Sequence, residues 1–444
     1  MEQRNIQQNL TEGPITKKLI LFALPLMVGN ILQQLYNIVD TFIVGRVLGE
    51  IALGAVGSSF VLMTFLNSII IGLCMGSGAY FSMQYGKKDF GRLRQSVFIA
   101  FLAIGIVAFV INIMVYAGMN GILWFMRVPA VSAPMMRKYL IYIFAGILAV
   151  FLYNFLASLL RAIGNSLVPL LFLGISAVLN IILDLLFVLR LNMGVEGAAV
   201  ATVISQYISA IGLLLYYFRK CPQLQVHHEQ CKWSGQILRE ITGLSVLTCV
   251  QQSIMNFGIL MVQGLINSFG TAVMAAFTAA VKIDAFAYAP VQDFGNAFST
   301  FVAQNYGAGN KERIKKGIKS AGTMTVLFCL CISTFVCLFS ELLMKIFIDG
   351  VQTEIIHIGN GYLRIEGACY VGIGLLFLFY GYYRAVNRPG VSVVLTIISL
   401  GTRVVLAYIL SAIPQIGVTG IWVAIPIGWA LADIVGFILM KAER

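Results

Sequence analysis

The stretch LILFALPLMVGNILQQLYNIVDTFIVG, Leu19–Gly45, carries a single charge, Asp40. About 20 apolar residues suffice for a helix to cross a ~30 Å hydrocarbon layer, so this stretch reads as a membrane span. A carboxylate inside such a span costs roughly 2.5–3.5 kcal/mol on insertion scales, which makes it rare without a function. The alternative is a helix-end Asp reaching back to the interface, since Asp40 lies close to Gly45.

Outward from this stretch the chain is of one kind. It is 444 residues long, 59% hydrophobic and only 11% charged, with a mean hydropathy of +0.90. An ordinary soluble surface needs more charge than that, so the class is an all-α polytopic membrane protein. The first run is too long for a cleavable signal peptide, and further spans follow without a small-residue cleavage pattern.

Twelve apolar segments are expected, near 17–45, 51–84, 95–120, 134–158, 167–189, 196–218, 239–268, 272–304, 320–346, 358–383, 390–411 and 418–440. Ile241–Val281 is uncharged throughout and is divided at the turn-like Asn267-Ser268-Phe269-Gly270-Thr271. The longest polar interval, Arg219–Arg239, separates two sets of six. The expected organisation is a first lobe over 1–220, a linker over 221–238 and a second lobe over 239–444.

The net charge of +12 is not a nucleic-acid signature here, because most basic residues sit in short loops between spans. With the N-terminus inside, only Arg46, Arg127, Arg137, Lys138, Arg190 and Lys345 fall outside, and Lys282, Arg364 and Arg403 fall within segments. That asymmetry predicts a cell-membrane protein with both termini cytoplasmic. Of eight cysteines, only Cys221 and Cys231 lie in a loop, beside His227 and His228. Their spacing fits no usual zinc pattern, and the stretch reads as a linker.

The two halves answer each other. Arg161-Ala162 recurs as Arg384-Ala385, and Gly194-Val195-Glu196-Gly197 as Gly417-Val418-Thr419-Gly420, both 223 positions on. Tyr85-Gly86 with Arg92 recurs as Tyr306-Gly307 with Arg313, 221 positions on. With six spans each, the halves enter the membrane from the same side. Parallel repeats about an axis along the membrane normal are typical of secondary transporters.

Segment 5 holds Asn180 and Asp184, four apart and so on one helix face. Asp40, Asp184 and Thr202 of segment 6 fall at comparable depth in the outer half of the first lobe. Two carboxylates with an amide and a hydroxyl make a hard-oxygen site for a proton or Na⁺. At the repeat offset, Asn180 maps to Arg403, Asp184 to Ala407 and Thr202 to Ile425, so the site belongs to the first half alone. Tyr36, Asn37 and Asn154 are candidates for the same cavity or for packing. Pro25 either lets segment 1 bend or marks a static kink. Lys282, Asp284, Asp293, Glu366 and Arg403, of mixed sign, read as a charge network within the second half.

These features resemble the multidrug and toxic compound extrusion (MATE) family along essentially the whole chain. The likeness rests on Leu24-Pro25, Gln84-Tyr85-Gly86, Arg161-Ala162-Ile163-Gly164-Asn165, Gly194-Val195-Glu196-Gly197-Ala198-Ala199 and Gln304-Asn305-Tyr306-Gly307-Ala308-Gly309, in that order. It implies twelve helices in two six-helix lobes forming a V, exporting organic compounds against inward H⁺ or Na⁺. The chain is most similar to the DinF-like branch, whose coupling site matches Asp40, Asn180, Asp184 and Thr202, with Tyr36 and Asn154 in the same polar network. The NorM-like branch relies on a Glu in helix 7, and segment 7 here has no acid, only Gln251, Gln252 and Gln263.

The expected function is secondary active antiport of organic, cationic or amphipathic compounds, by a monomer in the bilayer, with no cofactor beyond the coupling ion. The alternative is a flippase for lipid-linked saccharides, for which Arg403 would bind a diphosphate. No His-Glu-x-x-His and no phosphate-cradling Gly loop near a Lys is present, so an enzyme is not expected.

Overall fold

A computed structural model of the chain describes residues 8–126, 132–226 and 231–442. Arg127, His227 and His228 lie outside them. Among the described residues all regular structure is helical: α1 (Ile15–Leu48), α2 (Glu50–Gly86), α3 (Phe90–Ala117), α4 (Met119–Phe125), α5 (Ala133–Phe144), α6 (Ile147–Ala162), α7 (Leu167–Asp184) and α8 (Gly194–Lys220). There follow α9 (Gly235–Asn267), α10 (Thr271–Gly307), α11 (Lys311–Phe347), α12 (Thr353–Gly367), α13 (Tyr370–Ala385), α14 (Pro389–Ser411) and α15 (Val418–Ala442). Among the described residues ten helices are long and apolar enough to span, and two bent pairs, α5/α6 at 42° and α12/α13 at 51°, bring the total to twelve when each pair counts as one span.

The twelve expected segments each coincide with a span, including the division of Ile241–Val281 between α9 and α10, where Gly270 has φ 100°. The breaks at 145–146 and 368–369 were not legible in the apolar pattern, which runs straight through both. Pro25, Pro290 and Pro426 lie inside continuous helices instead. A membrane helix can continue through a proline where neighbouring helices or local backbone adjustment re-satisfy the freed carbonyl.

Contacts divide the chain into two compact units, one built on Val28–Cys249 and one on Leu10–Met27 with the chain from Val250 onward. Both α1 and α9 therefore contribute to two units. In the first, α7 and α6 pack on α8, and α2 on α6; Phe81, Phe101 and Phe151 surround Phe155 at ring distances of 5.4–5.9 Å. In the second, α14 packs on α15 and α10 on α13. There Phe277 stacks on Trp422 at 5.6 Å with Tyr362 edge-on to both. The outward faces are apolar: α11 exposes Leu327, Leu330, Leu338, Leu342 and Ile346, a helix-period stripe suited to lipid.

The repeat is written into the backbone. Left-handed residues fall in pairs at its offsets: Gly49 with Gly270 (φ 83° and 100°), Lys88 with Gly309 (61° and 73°), Gly164 with Asn387 (86° and 63°) and Gly194 with Gly417 (64° and 52°). The two helix breaks are also 223 residues apart. L-residues visit this conformation singly and at a cost, so four paired recurrences mark common turn geometry.

Candidate functional site

The candidate ion-site residues of the first unit are set by three helices. α1 brings Tyr36 and Asp40 one turn apart, α7 brings Asn180 and Asp184, and α8 brings Thr202. Asp184 ends α7 and leads into a π-helical turn, Leu185–Arg190, a local widening often found at functional sites. Asp184 is fully buried and Asn180 nearly so.

Thr202 donates its hydroxyl to the Ala198 carbonyl at 3.0 Å, and the same oxygen accepts from the Asn180 amide at 3.2 Å. That fixes the amide with its oxygen turned the other way. Asn180 Oδ1, both Asp184 oxygens and Asp40 Oδ1 are buried and have no hydrogen-bond partner. Among the described residues, Asp40 supplies the charge that acts on Asp184. Buried acceptors without donors are costly, and like charges in one apolar place repel, so a cation among these oxygens relieves both. Carboxylate, amide and hydroxyl oxygens are the donors a small hard cation prefers.

Tyr139, on α5, was missed from sequence. It is buried and within electrostatic reach of Asp40, Asp184 and Tyr36. The repeat offered a signal, because Tyr139-Leu140 answers Tyr362-Leu363 at the 223 offset. Next to it Lys138 pairs with Glu196 at 2.8 Å, tying α5 to the start of α8. Tyr36 also feels Asp40 and bonds Gln33. The Asn154 amide donates to the Val150 carbonyl one turn back in α6. The Asn37 carbonyl accepts from Thr41.

The repeat positions in the second unit are packed with apolar side chains, Ala407 and Ile425, both fully buried. A different cluster forms there. Asp284 accepts from Tyr370 at 2.5 Å and from Tyr362 at 3.5 Å, with Glu366 and Arg403 interacting with it. Arg403 lies within electrostatic reach of both carboxylates, and its Nε is buried without a hydrogen-bond partner. Lys282 is exposed rather than part of this cluster. Cys221 is buried and Cys231 exposed, and no group of three metal-ligating side chains occurs among the described residues.

The sequence matches the MatE family over residues 25–186 and again over 245–409. The chain belongs to that family. The two MatE stretches begin 220 and end 223 residues apart, which restates the internal repeat. This MatE protein is 29% identical to the "Probable multidrug resistance protein YpnP" of Bacillus subtilis, covering 98% of this chain and 97% of the relative. It is 26% identical to the "Probable multidrug resistance protein NorM" of Thermotoga maritima, covering 95% and 90%. In fold it is similar to the crystal structure of MATE in complex with MaL6, with a TM-score of 0.93, 23% identity and coverage of 98% and 97%.

Proposed function

We propose that this MatE protein is a secondary active antiporter that exports organic, cationic or amphipathic compounds, driven by inward H⁺ or Na⁺. Asp40, Asn180, Asp184 and Thr202 hold the ion, and Tyr139 lines it. The observation that carries this is the set of buried oxygens without donors, drawn from Asp40, Asn180 and Asp184. Both relatives carry the name "Probable multidrug resistance protein", which supports export of varied organic compounds. An acidic first-half site agrees with the DinF-like branch, and the lysine and arginine distribution with cytoplasmic termini in the cell membrane.

An ion entering the site neutralises the acid pair, and the charge state of α1 changes with it. Only a ligand that binds two states unequally can shift them, and an ion held by Asp40 and Asp184 together does so when α1 moves against α7. The test is uptake of a cationic dye by proteoliposomes under separately imposed H⁺ and Na⁺ gradients. Stimulation by at least one gradient is expected; no stimulation by either, across several dyes, would overturn the antiporter assignment.

The hydroxyl of Thr202 has a testable part. Thr202→Val leaves the Asn180 amide without its acceptor, at a cost of about 1–3 kcal/mol. The half-saturating concentration of the driving ion is expected to rise about tenfold, since 1.4 kcal/mol corresponds to a factor of ten. An unchanged ion dependence would remove Thr202 and the Asn180 orientation from the site.

A further inference from the structure

Two arginines related by the repeat, Arg92 and Arg313, open α3 and α11 at the 221 offset. Each lies by an aromatic residue at that same offset: Arg92 Nε donates to the Tyr80 hydroxyl at 3.1 Å, and Arg313 stands 5.6 Å from the Phe301 ring centroid. Each holds the start of a helix. Arg92 Nη2 binds both oxygens of Glu240, on α9, at 2.6 and 2.8 Å, while Tyr80 donates to the same carboxylate at 2.7 Å. Arg313 reaches the backbone ahead of α1, donating to the carbonyls of Leu10, Glu12 and Gly13 at 3.1, 2.9 and 2.8 Å. Asn305 adds a bond to the Leu10 carbonyl at 3.2 Å.

The segments so held are the parts of α1 and α9 that pack apart from the rest of those helices. Leu10–Met27 belongs to the second unit and the remainder of α1 to the first; α9 belongs to the first unit up to Cys249 and to the second beyond it. Pro25 sits two residues from the handover in α1, where it frees the Leu21 carbonyl. Each of these two helices is continuous across its handover, so its start and its remainder are parts of one rod. The bonds holding those starts are polar and partly open to solvent, with the Arg92 and Glu240 side chains each 35% exposed, so water can replace them.

We propose that Arg92 and Arg313 are a pair of release clasps, one on Glu240 and one on the Leu10–Gly13 backbone, that open together in each transport cycle. The proposal needs only that the protein changes shape as it works, and not the ion coupling proposed above. Native-state hydrogen exchange on the full chain in lipid nanodiscs tests it. Arg92→Ala is expected to raise exchange about tenfold both in 236–249 and in 10–18, although Arg92 touches only the former. Glu240→Gln, which keeps the side chain's shape, gives the same double signature if the alanine variant folds poorly. Combining Arg92→Glu with Glu240→Arg restores slow exchange in both segments. A rise confined to 236–249, or none, would show a local structural contact and overturn the proposal.

Discussion

Asp184→Asn, and separately Asp40→Asn, is expected to disconnect export from the ion gradient while leaving the protein folded. Asparagine keeps the size and the oxygen but not the charge, and the site then offers one carboxylate where it had two. One elementary charge crossing a potential of ~100 mV supplies about 2.3 kcal/mol. At 1.36 kcal/mol per decade, each ion no longer coupled lowers the substrate gradient that can be sustained by about 50-fold. The measurement is concentrative dye uptake by inside-out vesicles holding equal amounts of each protein. Downhill dye movement can persist, but full gradient-driven accumulation in both variants would refute the first-unit site. Folding is expected to be kept, and even improved, because the buried Asp184 oxygens have no donors to lose.

Gly76→Ala is expected to destabilise the first unit strongly through a single methyl. A Cβ there would lie 2.4 Å from Ser245 Cα and 2.7 Å from the Leu244 carbonyl oxygen, so α2 and α9 touch backbone to backbone. No side chain can rotate away, and the helices have to part. Overpacking of this kind costs about 1–3 kcal/mol, sometimes more, and a unit of this size loses roughly 2–4 °C of melting temperature per kcal/mol. Gly57→Ala provides the control on the same helix, since nothing lies within 4 Å of its Cβ. Thermal unfolding in detergent should separate the two by several degrees, and equal melting temperatures would mean that the α2–α9 contact is not close in solution.

The spans were legible because a bilayer imposes one dominant requirement, an apolar run of sufficient length, which ten helices meet alone and α5/α6 and α12/α13 meet as pairs. The acids were legible for the converse reason, that charge in such a run is conspicuous. Tyr139 was not, because a tyrosine in an apolar segment looks like packing until its neighbours are known. The bends at 145–146 and 368–369 escaped for a similar reason: the one glycine among Ala145-Gly146 and Ala368-Cys369 is of a kind common inside membrane helices and so marks no break. Pro25 drew attention as a breaker, yet α1 continues through it. Asn154 was placed by analogy with the network, but its amide bonds within its own helix, a choice open to any short polar side chain on a helix in lipid.

The clasp on Leu10 also bears on how the protein is made. The backbone of Leu10 binds Gln304, 294 residues further along the chain. At a synthesis rate of about 5–20 residues per second, the segment ahead of α1 waits roughly 15–60 s for its partners to leave the ribosome. The first unit waits too, since Glu240 closes onto Arg92 only after α9 has begun to emerge. Neither half of the gene therefore encodes a finished product, and two separately translated halves can complete themselves only by exchanging their helix starts.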